Sequence, residues 1–370
     1  MRKIASMIVL AAALSASAQI QTLPEKFTRV NDCEATAVKS QDITGTCWSY
    51  STSSFIESEV LRTQGKAINI SEMFTVRNIY MEKAIRYVRY HGIANFSQGA
   101  LAHDLLYSYE KYGMMPQSAY TGLNGKDKHN HSALEKELKS YLDSLLKSRP
   151  IDPHWKDGFA AIMDEHLGAV PAVFEYEGKS YNAKSFADEV IGIDVDDYVG
   201  ITSFNHQEFG DDFILEVPDN WSDGEYDNVP LDIMMQVIDG ALESGYTVEW
   251  DGDVSEKGFL RRKGYALLCD DTSALKQVPE VIPEEPKVTQ ESRQANFDNL
   301  TSTDDHLMHI VGTATYKDGR KFYMVKNSWS ERAGIEGYTL MSESYMRMKT
   351  ISIVVHRKSV PKKARKHLDD

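Results

Sequence analysis

The chain has 370 residues, enough to bury a large core in one large domain or two small ones. Its formal net charge of −14 argues against nucleic acid or an anionic membrane surface as the main partner. Three cysteines in so long a chain exclude a disulfide framework, and the odd number leaves one thiol free unless it pairs between chains. If Cys47 is that thiol, Cys33 and Cys269 can pair or stay separate, and the sequence leaves both outcomes open.

Residues 1–18 have the features of a cleaved signal peptide. Two positive residues precede an apolar run over residues 4–14, and an A-x-A cleavage motif ends at Ala18. The run is too short to span a bilayer. We therefore expect a protein that is exported, to the periplasm or outside the cell, and whose mature chain starts at Gln19. A buried N-terminal helix is the alternative.

Four helices are predicted in the first part of the mature chain, because good helix formers and apolar residues recur there at helical spacing. They cover residues 48–64, 71–92, 98–113 and 132–148. The second begins at the capping residue Ser71. These helices come before any strong strand pattern, which already disfavours a regular alternation of strands and helices.

The second half is predicted to be rich in strands. Strand-like pieces alternate with loops from about residue 168 to 275, interrupted by one helix over 230–245. A connector rich in proline and glutamate, residues 276–294, is expected to lie on the surface. Strand patterns then dominate from His306 to Lys358. Helices first and strands last favour an α+β fold.

Cys47 is a candidate nucleophile. It follows Thr44-Gly45-Thr46 at the start of the first predicted helix, where the positive end of the helix dipole favours a thiolate. Gln41, six residues upstream, can return to the same place as a hydrogen-bond donor to an oxyanion. On its position alone, a small buried structural cysteine is an equally good interpretation of Cys47.

A base for this thiol must come from the histidines. His129 and His131 lie in the charged segment KDKHNH and are expected to be solvated; a weak metal site there is an alternative that lacks further ligands at useful spacing. His306 and His309 are three residues apart in a predicted strand, so they face opposite sides and only one of them can face a cleft.

An amide and an aromatic ring follow at 327 and 329. Asn327 can accept the second N–H of the imidazole and fix its tautomer, and Trp329 can keep water from that hydrogen bond. Cysteine, histidine and asparagine in this order, with glutamine six residues before the cysteine, is the arrangement of a papain-type cysteine protease.

Three motifs together resemble the papain superfamily: QDITGTCW over 41–48, Asp-His at 305–306 and Asn-Ser-Trp at 327–329. The sequence departs from the usual pattern at Ile43-Thr44, and at Ser330, where glycine is common. Cys47 and His306 are 259 residues apart, whereas papain-like enzymes usually need about 130–150, so more than a hundred residues are inserted.

The remaining segments are similar to the bleomycin hydrolase/aminopeptidase C family. EKYGMMPQSAY, YDNVPLDIMMQVIDGAL, TVEWDGDVS, RQANFDNLTSTDDHLMHIVG and IVVHRKSVP carry this resemblance, which runs from about residue 25 to 361. It implies one papain-like domain over 19–370, with a helical lobe and a β-rich lobe on either side of a cleft, and a C-terminal tail from about 357.

The resemblance also implies residue roles. Cys47 becomes the nucleophile, His306 the general base and acid, and Asn327 the residue that orients the imidazole. Gln41 joins the backbone N–H of Cys47 in the oxyanion hole, and Trp329 shields the site. No metal or organic cofactor is implied. Asp305 either adds negative charge beside His306 or lies in solvent, and His309 has no catalytic role.

The activity implied is that of an aminopeptidase on peptide substrates, assembled as a homohexamer around an internal chamber. In this family a C-terminal arm lies along the cleft and limits cleavage to N-termini; a frayed tail is the alternative for this chain. Three other functions remain open from the sequence. They are an endopeptidase or oligopeptidase with the same triad, an acyl transferase or amide hydrolase acting on non-peptide amides, and a non-catalytic scaffold.

Overall fold

A computed structural model describes residues 20–368 of the chain. The predicted signal peptide lies outside the described residues. Within residues 20–368, none of the helices combines the length and apolar character needed to cross a bilayer.

The five helices predicted from the sequence are present, and most strands lie in the second half of the chain, although one short strand precedes the first helix. The helices are α1 (Cys47–Gln64), α2 (Glu72–Arg89), α3 (Ala102–Tyr112), α4 (Ser132–Leu145), α5 (Trp155–Leu167), α6 (Ala183–Phe186), α7 (Leu231–Glu243), α8 (Thr272–Lys276), α9 (Gln290–Asp298), α10 (Glu343–Lys349) and α11 (Lys362–Arg365). The strands are β1 (Phe27–Asp32), β2 (Phe174–Tyr176), β3 (Lys179–Tyr181), β4 (Tyr198–Thr202), β5 (Asp212–Ile214), β6 (Glu225–Asn228), β7 (Val248–Gly252), β8 (Phe259–Leu260), β9 (Tyr265–Ala266), β10 (His306–Tyr316), β11 (Lys321–Lys326), β12 (Tyr338–Ser342) and β13 (Thr350–His356). The predicted α+β class is confirmed.

One large, mostly antiparallel sheet forms the β-rich lobe. Its strand order is β5-β6-β4-β13-β7-β10-β11-β12-β9-β8, and β1 pairs with the second half of β10. Strands β10 and β11 are antiparallel neighbours, with His309 opposite Lys326. The start of β10 and the end of β11 therefore lie at the same end of the sheet, which brings His306 close to Asn327 although 21 residues separate them.

The two faces of this sheet are covered by different helices. Leu307 on β10 and Val354 on β13 pack into the core that contains α1 to α5. Their neighbours Met308 and Ile353 point the other way, into the core around α7. The helical lobe and α7 thus lie on opposite faces of the sheet.

Helix α1 is the central helix of the helical lobe. Every side chain from Cys47 to Leu61 is buried, because α2 and α3 pack on one side of it and β7 and β10 on the other. Many of these side chains are serines, whose small size lets the neighbouring elements approach closely. The helix ends at Gly65, whose left-handed φ of 64° lets its N–H bond to the carbonyl of Leu61.

The structure adds one helix that the sequence analysis did not predict and corrects two local expectations. Helix α5 was not predicted, yet Phe159 and Met163 are buried members of the helical core. The proline-rich connector is not simply a surface segment, since Val278 and Ile282 are buried in the third core, beside β1 and β11. Its apolar residues anchor it, while Glu280, Glu284 and Glu291 face solvent.

His129 and His131 are buried rather than solvated, with 7% and 2% of their surface exposed. The His131 Nδ1 lies 3.1 Å from the Tyr80 hydroxyl, and the two histidine rings pack edge to face. Burial lowers the pKa of His131 to about 3, so it stays neutral. No group of three or more metal-ligating side chains occurs in the part of the chain that the structure describes.

Candidate active site

Cys47 is the first residue of α1 and is 9% exposed. The preceding residue, Thr46, makes no side-chain capping hydrogen bond, so the first N–H groups of the helix remain available at the sulfur. The backbone N–H of Leu307 lies beside the Cys47 thiol and favours its ionised form. The helix thus places the thiol against the residue that directly follows His306.

His306 is fixed by an asparagine and a tryptophan. Its Nε2 lies 2.8 Å from Asn327 Oδ1, and the backbone N–H of Ser328 donates to the same oxygen at 2.7 Å. Because that oxygen is an acceptor, Nε2 carries the hydrogen and Nδ1 keeps its lone pair. The Trp329 ring stacks on the imidazole with centroids 4.6 Å apart and an interplanar angle of 23°. The structure therefore brings His306, Asn327 and Trp329 together.

Gln41 is positioned by the loop that carries Ser328. Its backbone N–H donates to the Ser328 carbonyl at 2.9 Å, and its side-chain oxygen accepts from the Ser328 hydroxyl at 2.5 Å. One amide hydrogen is donated to the Thr44 carbonyl at 2.7 Å. A carboxamide has two such hydrogens, so the second remains for an oxyanion beside Cys47.

Burial dominates the electrostatics of the two reacting groups. It raises the pKa of the Cys47 thiol to about 12 and lowers that of the His306 imidazole to about 4. These two pKa values apply when the thiolate or the imidazolium forms without the other. Proton transfer from the thiol to the imidazole forms both charges together, so each acts as the other's counterion, and the start of α1 adds its positive dipole.

Three carboxyl groups near Cys47 were missed by the sequence analysis. The charges of Asp304, Asp219 and Asp251 all raise the pKa of the Cys47 thiol, after burial itself. Asp304 stands two residues before His306, and the doublet of aspartates there was the available signal. Asp219 and Asp251 come from segments more than fifty residues earlier, and only the fold brings them to the site.

The other candidates lie away from the reacting groups. His309 faces α1, with its Nδ1 2.9 Å from the Ser54 hydroxyl, which agrees with the prediction that it and His306 face opposite sides. Asp305 is exposed and accepts from the Thr303 hydroxyl at 3.0 Å. Cys33, Cys47 and Cys269 are all free thiols, which settles the pairing left open by the sequence.

The departure from glycine at Ser330 has a structural cost. Ser330 adopts a left-handed φ of 70°, a conformation that glycine takes without strain. This turn directly follows Trp329, at the point where the chain leaves the site. The backbone geometry explains why glycine is common at this position in papain-like sequences.

Named proteins match most of the chain. A sequence profile of the peptidase C1-like family matches residues 174–370, just over half of the chain. Aminopeptidase G of Lactobacillus delbrueckii subsp. lactis is 24% identical over 91% of this chain and 85% of its own length. Aminopeptidase C of Lactococcus lactis subsp. cremoris is 25% identical over 67% of this chain, and that match spans 61% of the relative.

A solved structure shows the same fold. The crystal structure of PepW from Lactobacillus rhamnosis HN001 matches with a TM-score of 0.71 over 91% of this chain and 84% of that one, at 19% identity. The two-lobed architecture predicted from the sequence is thereby confirmed. The chain belongs to the peptidase C1-like family, and it is a papain-type cysteine peptidase of the bleomycin hydrolase branch.

Proposed function

We propose that this protein is an exported cysteine aminopeptidase that removes residues from the N-termini of peptides through Cys47, His306 and Asn327. The observation that carries the proposal is the fixed imidazole: Asn327 holds Nε2 at 2.8 Å under Trp329, which leaves Nδ1 as the base. The relatives named aminopeptidase C and aminopeptidase G support the exopeptidase assignment.

In the first half-reaction, His306 Nδ1 takes the proton of Cys47 as the sulfur attacks the carbonyl carbon of the scissile bond. The carbonyl π electrons move to the oxygen, which becomes an oxyanion. The backbone N–H of Cys47 and the second amide hydrogen of Gln41 donate to it. His306 then protonates the leaving amine, the C–N bond breaks, and a thioester remains on Cys47.

In the second half-reaction, His306 takes a proton from water, and the resulting hydroxide equivalent attacks the thioester carbonyl. Collapse of the second tetrahedral intermediate releases the carboxylic acid and returns the proton to the sulfur through His306. Asn327 keeps the imidazole in the required tautomer throughout, because its Oδ1 is also held by the Ser328 N–H at 2.7 Å. Each step uses only groups of this chain, water and the peptide.

The test is turnover of alanine 7-amido-4-methylcoumarin and of its N-acetylated form by the purified mature chain. Wild-type protein should cleave the free-amine substrate and prefer it, and Cys47→Ala should abolish turnover. Iodoacetamide should label Cys47 before Cys33, because His306 can take the proton of Cys47 whereas the Cys33 thiol lies against the carbonyls of Leu242 and Tyr246, and activity should fall in parallel. Equal turnover by the Cys47→Ala variant would reject the proposal, and a preference for the N-acetylated substrate would favour an endopeptidase.

Export and assembly as a homohexamer are further parts of the proposal. Mass spectrometry of protein expressed with its leader should find a mature chain that begins at Gln19. An intact N-terminal methionine in a cytosolic fraction would contradict export. Sedimentation of the mature protein should give a particle of six copies, and a stable monomer with full activity would reject the hexamer.

A further inference from the structure

An exposed cation lies on the tryptophan that stacks on His306. The guanidinium carbon of Arg261 is 3.9 Å from the centroid of the Trp329 ring, and the same tryptophan lies on the imidazole with centroids 4.6 Å apart. Burial lowers the pKa of His306 most, and the positive charge of Arg261 lowers it further. One aromatic side chain therefore contacts both the proposed general acid and a guanidinium group.

The guanidinium of Arg261 is free to bind a ligand. Within residues 20–368 it makes no ion pair and donates no hydrogen bond, and its one recorded contact is with the Trp329 ring. The two acidic residues shortly before it in the chain, Asp253 and Glu256, both pair with Lys349 instead. All five N–H donors of the guanidinium therefore remain available.

The turn that carries Arg261 is held in place. It joins β8 to β9, and the backbone N–H of Arg261 donates to the Phe259 carbonyl at 3.0 Å. Phe259 is buried and packs edge to face on Trp329, with ring centroids 5.9 Å apart. On the other side of the turn, Lys263 Nζ donates to the Val278 carbonyl at 2.6 Å. Because both ends are anchored, the turn keeps the guanidinium at the tryptophan.

The leaving part of a peptide must lie beside this tryptophan. In the proposed reaction His306 protonates the leaving amine, so the nitrogen of the first residue after the scissile bond comes within hydrogen-bond distance of the imidazole. The α-carbonyl carbon of that residue is two covalent bonds beyond the nitrogen, a separation of about 2.5 Å. In a dipeptide this carbon belongs to the terminal carboxylate. That carboxylate therefore lies close to the imidazole and to the Trp329 ring stacked on it.

We propose that Arg261 binds a carboxylate on the first residue after the scissile bond, supplied by the C-terminus of a dipeptide or by an acidic side chain. The inference rests on the proposed aminopeptidase function and assigns its specificity for the leaving residue. A guanidinium can bind a carboxylate through two parallel hydrogen bonds. The flat face of Trp329 fixes the plane of this fork and keeps water from one side of it.

The test compares alanyl-glycine with alanyl-glycinamide, which differ only in the terminal carboxylate. Arg261→Gln should lower the ratio of kcat/KM for the acid to that for the amide by about fivefold or more, mainly through KM. Arg261→Lys should keep part of the preference, because it retains the charge without the planar fork. Chromatography of the released glycine or glycinamide measures both rates, and their ratio does not depend on how much of each preparation is active.

Arg262→Gln is the matched control, because it removes the same charge from the next residue. Arg262 is also exposed and makes no cation–π contact in the part of the chain that the structure describes. Its ratio should equal that of wild type. Raising the salt concentration from about 0.05 M to about 0.5 M should lower the wild-type ratio, since an exposed ion pair is screened, and should leave the ratio of Arg261→Gln unchanged.

A second pair of substrates separates the two sources of the carboxylate. Alanyl-aspartic acid α-amide and alanyl-asparagine amide differ only in the side-chain carboxylate. A preference for the acid in either pair that is lost in Arg261→Gln supports the assignment and names the source. Equal ratios in wild type and Arg261→Gln for both pairs would overturn it, whereas turnover of alanine 7-amido-4-methylcoumarin would leave the peptidase proposal standing. Failure of wild type to cleave any free-amine substrate would reject the proposed function instead.

Discussion

His306 and His309 lie on the same strand, but their side chains have different surroundings and different proposed roles. His306 stands at the edge of the sheet with Asn327 and Trp329. His309 is fully buried on the other face, where its ring packs edge to face on Phe55. The strand alternation places one histidine at the reacting thiol and the other inside the core.

We expect His306→Ala to lower kcat by about a thousandfold or more, because base and nucleophile act as a unit. His309→Ala should leave kcat within a few-fold of wild type but lower the free energy of unfolding by about 1–3 kcal/mol, since Ser54 loses a buried partner at 2.9 Å. Steady-state kinetics and urea unfolding measure both quantities. A greater kcat loss in His309→Ala would contradict the assignment.

Asn327 orients the base without transferring protons. Asn327→Ala should therefore lower kcat by about ten- to a hundredfold, less than His306→Ala, because the imidazole keeps its Nδ1 but loses its acceptor at 2.8 Å. Comparing the turnover of Asn327→Ala with that of the inactive Cys47→Ala variant distinguishes residual activity from none. A loss as complete as that of Cys47→Ala would show that the amide does more than hold the ring.

At the scale of elements, strand β7 carries a second buried acid. Glu249 is fully buried, its Oε1 accepts from the Ser51 hydroxyl at 3.1 Å, and its Oε2 has no donor among the described residues. Burial raises the pKa of Glu249 to about 8. In the unfolded chain this side chain ionises near 4.5, so the folded state opposes its ionisation between these two values.

Glu249→Gln should therefore stabilise the fold at high pH. As pH rises from about 4.5 to about 8, wild type should lose up to about 1.4 kcal/mol per pH unit relative to the variant, and the difference should then level off. Below pH 4.5 both proteins carry a neutral side chain and should have similar stability. Urea unfolding across this range measures the difference.

Glu243→Gln, at the exposed end of α7, is the control and should show no such pH dependence. A difference between Glu249→Gln and wild type that does not change with pH would mean that the effect comes from packing rather than from ionisation.

The sequence was most informative where a pattern is local. Helices α2 to α4 and α7 have an apolar and a polar face, and their ends carry recognisable caps such as Ser71 and Gly113. The candidate triad could be proposed from the sequence because its motifs are short and ordered. Helix α5 was missed because Gly158 interrupts its pattern, although that glycine lets the Tyr141 ring approach closely.

Long-range contacts set the limit of prediction. Nothing local distinguishes the buried His131 from a solvated histidine, because its partner Tyr80 lies 51 residues away. Asp219 and Asp251 likewise come near Cys47 only through the pairing of β7 with β10 and the packing of a loop against Gly99. Residues that depend on such packing carry no motif in the sequence.

For the molecule as a whole, the described part of the C-terminal tail is anchored in the core around α7. Helix α11 packs on α7, and Pro361 lies so close to Gly240 that a Cβ there would be 2.3 Å from the ring. Val360 and Ala364 are buried in the same core. The described residues 357–368 therefore pack on α7, and whether the tail restricts the cleft stays a prediction.

Deleting residues 359–370 should therefore lower the melting temperature, since the burial of Val360 and Ala364 is lost. The preference for a free amino group should survive, because the described part of the tail packs on α7. Calorimetry and the ratio of kcat/KM for the free-amine and N-acetylated substrates measure the two effects. A rise in cleavage of the N-acetylated substrate on deletion would show that the tail restricts the cleft after all.

The catalytic groups are divided between two layers of the molecule: Cys47 begins a helix, whereas His306 and Asn327 belong to the sheet. Their distance depends on how α1 packs on β10, through side chains such as Ile56 and Leu307. A misplacement of about 1 Å is enough to slow such a reaction a hundredfold. In a urea titration, activity should therefore vanish at a lower denaturant concentration than the far-ultraviolet circular dichroism, because slight sliding of the layers inactivates the enzyme while its helices and strands persist.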